Sequence, residues 1–98
     1  TEAFLSFSKW VKRGNDVGMK KFADPAYVQR LLNSYDGAFL LSEIWPVDPA
    51  VVEVIDENGV KNLTVEARNF KNEIVTGSFQ VKKVDELWKV TDGYWRRN

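Results

Sequence analysis

The chain has 98 residues, 44% of them hydrophobic and 13% aromatic, with fourteen Lys and Arg against fourteen Asp and Glu. A chain of this length buries roughly 60 to 68% of its unfolded surface, enough for one core and one domain over residues 1–98, and its apolar content excludes a disordered segment. The charges divide evenly, six of each sign before Ala50 and eight of each after it, so the basic stripe that binds nucleic acid is missing.

From Glu2 to Arg13, Phe4, Phe7, Trp10 and Val11 recur at the three-and-four spacing of one helix face, and Gly14 is a stop. Asn15 or Asp16 then caps a short second helix that turns Met19 and Phe22 inward. Asp24-Pro25 starts a third helix, a carboxylate cap followed by a proline whose missing N–H costs nothing there. Val28, Leu31, Leu32 and Tyr35 form its inner face, and Gly37 ends it.

After Gly37 the period shortens. Ala38 to Trp45 reads as a strand stopped by Pro46, and Pro49 confines the next residues to a turn or an irregular edge. Ala50 to Ala67 reads as a hairpin: Val52, Val54 and Asp56 alternate, Asn58-Gly59 turns the chain, and Leu63, Val65 and Ala67 resume the alternation. Asn69 to Glu73 is a second turn. Ile74 to Val84 follows as a long strand, with Val75, Gly77, Phe79 and Val81 on a buried face and Thr76, Ser78, Gln80 and Lys82 on a wet one. Asp85-Glu86 turns the chain into a last strand that buries Trp88 and Val90. The pattern predicts an α+β domain in which three N-terminal helices, over about residues 2–36, pack on an antiparallel sheet of about five strands, over about 38–95.

A leading amphipathic helix "AFLSFSKWVKRGN", a short helix "DVGMKKFADP", a third helix ending in an aromatic, and strands closing on Leu87-Trp88-Lys89-Val90 resemble the nuclear-transport-factor-2-like superfamily. These are cystatin-like α+β cones, and the likeness is to small bacterial extracytoplasmic members. Such members include accessory domains of lipoproteins, the amino-terminal domain of some penicillin-binding proteins, and the scaffold subunit of conjugation machines. The resemblance implies helices on a curved sheet, an envelope or secreted location, and dimerisation through the sheet face. Enzymes of the superfamily use an Asp with a His or Tyr inside the cone. This chain has no His, and Asp56 and Glu66 lie near turns or on the polar parity, so the resemblance implies a non-enzymatic member.

Absence of His and Cys also removes disulfides, thiol nucleophiles, zinc hydrolysis and serine triads, so no catalytic residue, metal or cofactor is expected. Lack of Cys suits the cytosol as well as an exported domain without disulfides. The chain begins at Thr1 instead of Met, as a mature segment does once its targeting sequence is removed. Apolar runs such as Ala38-Phe39-Leu40-Leu41 fall far short of the roughly twenty residues of a membrane helix, so no direct membrane insertion is expected. Asp85, Glu86 and Asp92, or Asp56-Glu57-Asn58-Gly59, offer oxygen ligands, but the second set lacks EF-hand spacing and reads equally as a turn. Asn62-Leu63-Thr64 matches a glycosylation tripeptide that the strand alone places outward.

Two surfaces remain. Trp10, Tyr27, Tyr35, Phe39, Trp45, Phe79 and Trp88 form either the core or the lining of a cone cavity for a small apolar ligand. Tyr94, Trp95, Arg96 and Arg97 carry residue types enriched at interface hot spots, and an unbroken strand count turns Trp95 outward unless Gly93 hosts a bulge. With Thr76, Ser78 and Gln80 they suit a polar interface for a protein partner or a second copy. The expected function is a non-enzymatic interaction or scaffold domain of an exported or envelope-associated protein; the alternative is a small-ligand binder or weak enzyme using the cavity.

Overall fold

A computed structural model describes residues 1–96, so the candidate interface residue Arg97 lies outside the described part of the chain. Four helices come first and four strands follow, an α+β order with one helix more and one strand fewer than the sequence pattern predicts.

The leading helix α1 (Glu2–Lys12) buries Phe4, Phe7 and Val11 on the predicted stripe. In α2 (Asp16–Phe22) Asn15 is the cap, its side chain accepting from the Gly18 N–H at 2.9 Å, and Met19 is buried. As the Asp-Pro signal requires, Asp24 accepts from the Ala26 N–H at 3.0 Å at the start of α3 (Pro25–Ser34). Tyr27 and Val28 are buried there, while Leu31, Leu32 and Tyr35 are half-buried.

The segment expected to be the first strand is instead helix α4 (Ala38–Ile44). A short apolar run fits a strand or a helix equally well by composition, and tertiary partners decide between them. Here Leu41 and Trp45, four apart, both go inward. Lys12 of α1 donates to the Ser42 and Trp45 carbonyls at 2.7 and 3.0 Å, placing a cation where helix α4 leaves its last acceptors open. Trp45 Nε1 donates to Ser8 Oγ at 2.9 Å, which pins the end of α4 to α1 and satisfies the one buried hydroxyl of that helix.

The sheet is an antiparallel meander in the order β1-β2-β3-β4, comprising β1 (Val47–Glu57), β2 (Val60–Arg68), β3 (Ile74–Val84) and β4 (Leu87–Trp95). Irregular pairing between Val47 and Ala50 marks the predicted irregular edge at Pro49. Asn58-Gly59, both at positive φ, forms the predicted two-residue turn between β1 and β2. Asn69 Oδ1 accepts from the Lys71 and Glu73 N–H groups at 3.0 Å and organises the next turn. Leu63, Val65, Ala67, Phe79, Val81 and Val90 face the helices, so one side of the sheet carries the core and the other meets water.

One break in the ladder matters most. Val81 pairs with Val90 but Gln80 pairs with Asp92, so Thr91 is an extra residue and the alternation of β4 reverses past it. Trp95, opposite Gly77, therefore turns inward to pack on the core, correcting the outward placement from the unbroken count. Trp88, expected to be fully buried, is half-buried against the core, with Lys61 Nζ 4.5 Å above its ring.

The β3–β4 turn, Asp85-Glu86, holds two non-glycine residues at φ 49 and 71 between the paired Val84 and Leu87. Left-handed backbone costs such residues about 1 kcal/mol or more each. Replacing the pair by Asn-Gly should stabilise the fold by about 1 kcal/mol and raise the thermal midpoint by about 4 to 8 °C, measured by calorimetry.

Candidate functional site

On the water-facing side, the register stacks side chains in rows across the strands. Glu53, Thr64, Ser78 and Tyr94 make one row, and Ile55, Asn62, Gln80 and Asp92 the next. All of these but Glu53 line a shallow depression of 350 Å3. Polar side chains here bind one another: Thr91 Oγ1 lies 3.1 Å from Gln80 Oε1, and Arg96 donates to Ser78 Oγ at 3.0 Å. The Arg96 N–H also donates to the Thr76 carbonyl at 2.7 Å, extending the ladder past β4. Five predicted interface residues, Thr76, Ser78, Gln80, Tyr94 and Arg96, thus share one face. Tyr94 is 61% exposed on it and Ile55 46%.

Charge on this face is segregated. Glu53, Glu57 and Glu66 stand on β1 and β2, whereas Lys82, Lys89 and Arg96 stand on or just past β3 and β4. Arg68 at the end of β2 and Asp92 on β4 are the exceptions; Arg30 of α3 sits 3.7 Å from Asp92. Both partners are largely exposed, so this pair contributes little to stability.

On the helix side, two clefts flank Trp95. The larger, 280 Å3, is lined by Tyr27, Arg30, Tyr35, Trp45 and Gly93 among others; the smaller, 190 Å3, lies between Leu41, Ile44, Pro46 and Val75. Tyr27, Tyr35 and Trp45 therefore occupy the predicted pocket positions. Phe79 is core, tilted against Phe4 and edge-on to Trp95 with centroid distances of 4.5 and 5.1 Å. Trp10 packs at the margin of the core, over Gly18 between α1 and α2 and beneath Arg13 and Lys21. Phe39 does not line the cone: α4 turns it 72% into solvent, since only the Leu41 and Trp45 side of that helix meets the core.

Sequence reading missed Arg30 and Thr91 at the site. A glycine inside a strand pattern, Gly93, was the available signal for the bulge that reorders the face. Among the described residues no three carboxylates converge, and Asp56 to Gly59 form the hairpin turn.

Burial pushes the Tyr27 hydroxyl well above its ordinary value, and the charge of Asp92 and then Tyr35 add to the effect while Arg30 opposes it. The neutral hydroxyl donates to the Gly93 carbonyl at 3.1 Å, tying α3 to β4. Because the folded state holds this proton more tightly, the linked stability is intact below the ordinary value of 10.0 and is lost as pH rises beyond it. Tyr27→Phe should cost about 1 kcal/mol at neutral pH, and its denaturation midpoint should fall less steeply than that of the unaltered chain above pH 10, measured by urea titration.

Helices wrapped on one face of a four-stranded antiparallel sheet define an NTF2-like fold. A structural match spans 99% of this chain and 90% of an NTF2-like protein of unknown function from Shewanella baltica, with a TM-score of 0.61 and 11% sequence identity. No protein-family model and no curated protein matches the sequence.

Proposed function

We propose that the chain is a non-enzymatic interaction domain of an exported or envelope-associated protein, docking through its water-facing sheet surface onto a second copy of itself. The observation that carries this reading is the segregated charge around an exposed Tyr94. A two-fold axis along the strands lays the β1–β2 half of one copy over the β3–β4 half of the other, setting Glu57 opposite Lys89 of its mate. A self-complementary patch is what such a symmetric interface needs, and a polar surface with one aromatic anchor is a usual interface composition. Trp95 contributes from beneath, as core. The envelope location rests on the resemblance of sequence pattern.

Sedimentation equilibrium should show a dimer. Tyr94→Ala should weaken it about tenfold, a loss of about 1.4 kcal/mol. Glu57→Lys should weaken it as well, and adding Lys89→Glu should restore it. A monomer at high concentration, or no effect of these changes, overturns the reading.

A second reading, small-ligand binding, draws on one atom. Trp95 lines both helix-side clefts, and its buried Nε1–H has no acceptor among the described residues. A buried donor left unmade costs about 1 to 3 kcal/mol, which an acceptor-bearing ligand would recover. Titration with octanoate should move the Trp95 indole N–H resonance downfield if this reading holds. An unmoved resonance at saturating octanoate counts against it.

A further inference from the structure

The two edges of the sheet are unlike. Along β4, Ala23 forms a parallel bridge to Val90, the Asp24 N–H donates to the Val90 carbonyl at 2.8 Å, and Tyr27 takes the Gly93 carbonyl. Along β1, the described residues place nothing against the stretch from Val52 to Glu57. Every residue of that stretch is exposed, Val52 at 52% and Val54 at 44%.

Which backbone groups are free follows from the turn. In a two-residue hairpin the flanking residues, Glu57 and Val60, exchange both hydrogen bonds, and bonded pairs then alternate along the ladder. Glu57, Ile55 and Glu53 spend their N–H and C=O groups on β2, so those of Val54 and Asp56 point away from the sheet. Natural edges are guarded by Pro, bulges or Lys. Pro49 and the register shifts between Val47 and Glu53 guard the first half of β1, but nothing of the kind guards Glu53 to Glu57.

Charge selects the occupant. The strand carries Asp48, Glu53, Asp56 and Glu57 and no base. Antiparallel pairing of two β1 edges with Val54 opposite Asp56 of the other copy sets Glu53 against Glu57, and pairing about Asp56 sets Asp against Asp; pairing about Val54 opposes no like charges but runs Asp56 into the irregular backbone at Val52. Like charges directly opposite destabilise a strand pair. An extended segment alternating apolar and basic residues has the opposite property: its backbone completes the ladder at Val54 and Asp56, and its cations meet the carboxylates.

We propose that the β1 edge from Glu53 to Glu57 is a strand-addition site for an extended basic segment of a partner protein. This site is the backbone edge of β1; it shares the Glu53 and Glu57 side chains with the sheet face but does not depend on self-association. The probe is an acetylated eight-residue peptide alternating lysine and valine. Hydrogen exchange read by NMR should show the Val54 and Asp56 amides protected by the peptide, with affinity falling as salt rises. N-methylating the peptide on alternate residues should weaken binding at least tenfold, as should Val54→Pro, which removes only an outward N–H. The paired Glu53→Gln and Glu57→Gln changes should weaken binding and flatten its salt dependence. Equal binding of the N-methylated peptide, absence of binding, or protection of Val54 and Asp56 in the chain alone by self-pairing overturns the proposal. The protected amides at 54 and 56 are not groups that face-to-face packing covers, so the two proposals fail independently.

Discussion

Phe79 stands at the centre of the molecule because the sheet lets its ring lie flat on backbone. A Cβ added at Gly93 would come within 2.2 Å of the Phe79 ring, and one at Gly77 within 2.5 Å. Those two glycines, on β4 and β3, leave the space that Phe79 and Trp95 fill. Around them close Phe4 of α1 and Trp45 at the end of α4, with Phe7 and Tyr27 in contact beyond, at ring separations between 4.5 and 6.4 Å. Tilted and edge-on pairs of this kind contribute about 0.5 to 1.5 kcal/mol each beyond the area they bury. Three helices thus reach the sheet through one aromatic cluster. Little else in so small a core could hold them in register.

Polar contacts then fix the cluster's orientation. Packing confines the Trp45 ring, its bond to Ser8 fixes where the indole N–H points, and the two bonds from Lys12 hold the end of α4. A buried indole N–H that finds a hydroxyl avoids the desolvation cost of an unmade bond. Trp95 lies 5.5 Å from Trp45 by ring centroid and has no such partner among the described residues. One tryptophan therefore fastens the cone while the other, at its mouth, retains a free donor.

Local chemistry written into a few residues made much of this legible in sequence. Asp24-Pro25, Asn58-Gly59 and the alternation from Val75 to Lys82 each act through their own backbone preferences, and each stands where it was expected. The misreadings share a different cause. Residues 38–44 form a helix because Lys12 and Ser8, some thirty residues earlier, meet its end. Trp95 turns inward because Thr91 slips against β3, a choice made by the cross-strand fit of Phe79 to Gly93. The outward placement of the candidate interface set was legible where alternation alone governs it, at Thr76, Ser78 and Gln80. It failed at Trp95, where the bulge intervenes, and Tyr94 reached the outer face for the same reason.

The two surfaces proposed as docking sites are consequences of where the helices stop. α1, α2 and α3 all pack against β4, and only α1 reaches as far as β1. Helix cover therefore seals the β4 edge and thins toward β1, leaving Val54 exposed although it stands on the helix-facing parity, opposite the buried Leu63. An edge left in water with free backbone groups is an aggregation hazard unless something guards it. Four carboxylates along β1 provide that guard by repulsion between like edges instead of by proline or lysine. The same repulsion vanishes before a basic strand, so a guard built from charge disfavours edge-to-edge pairing of two β1 strands while admitting a strand of opposite sign.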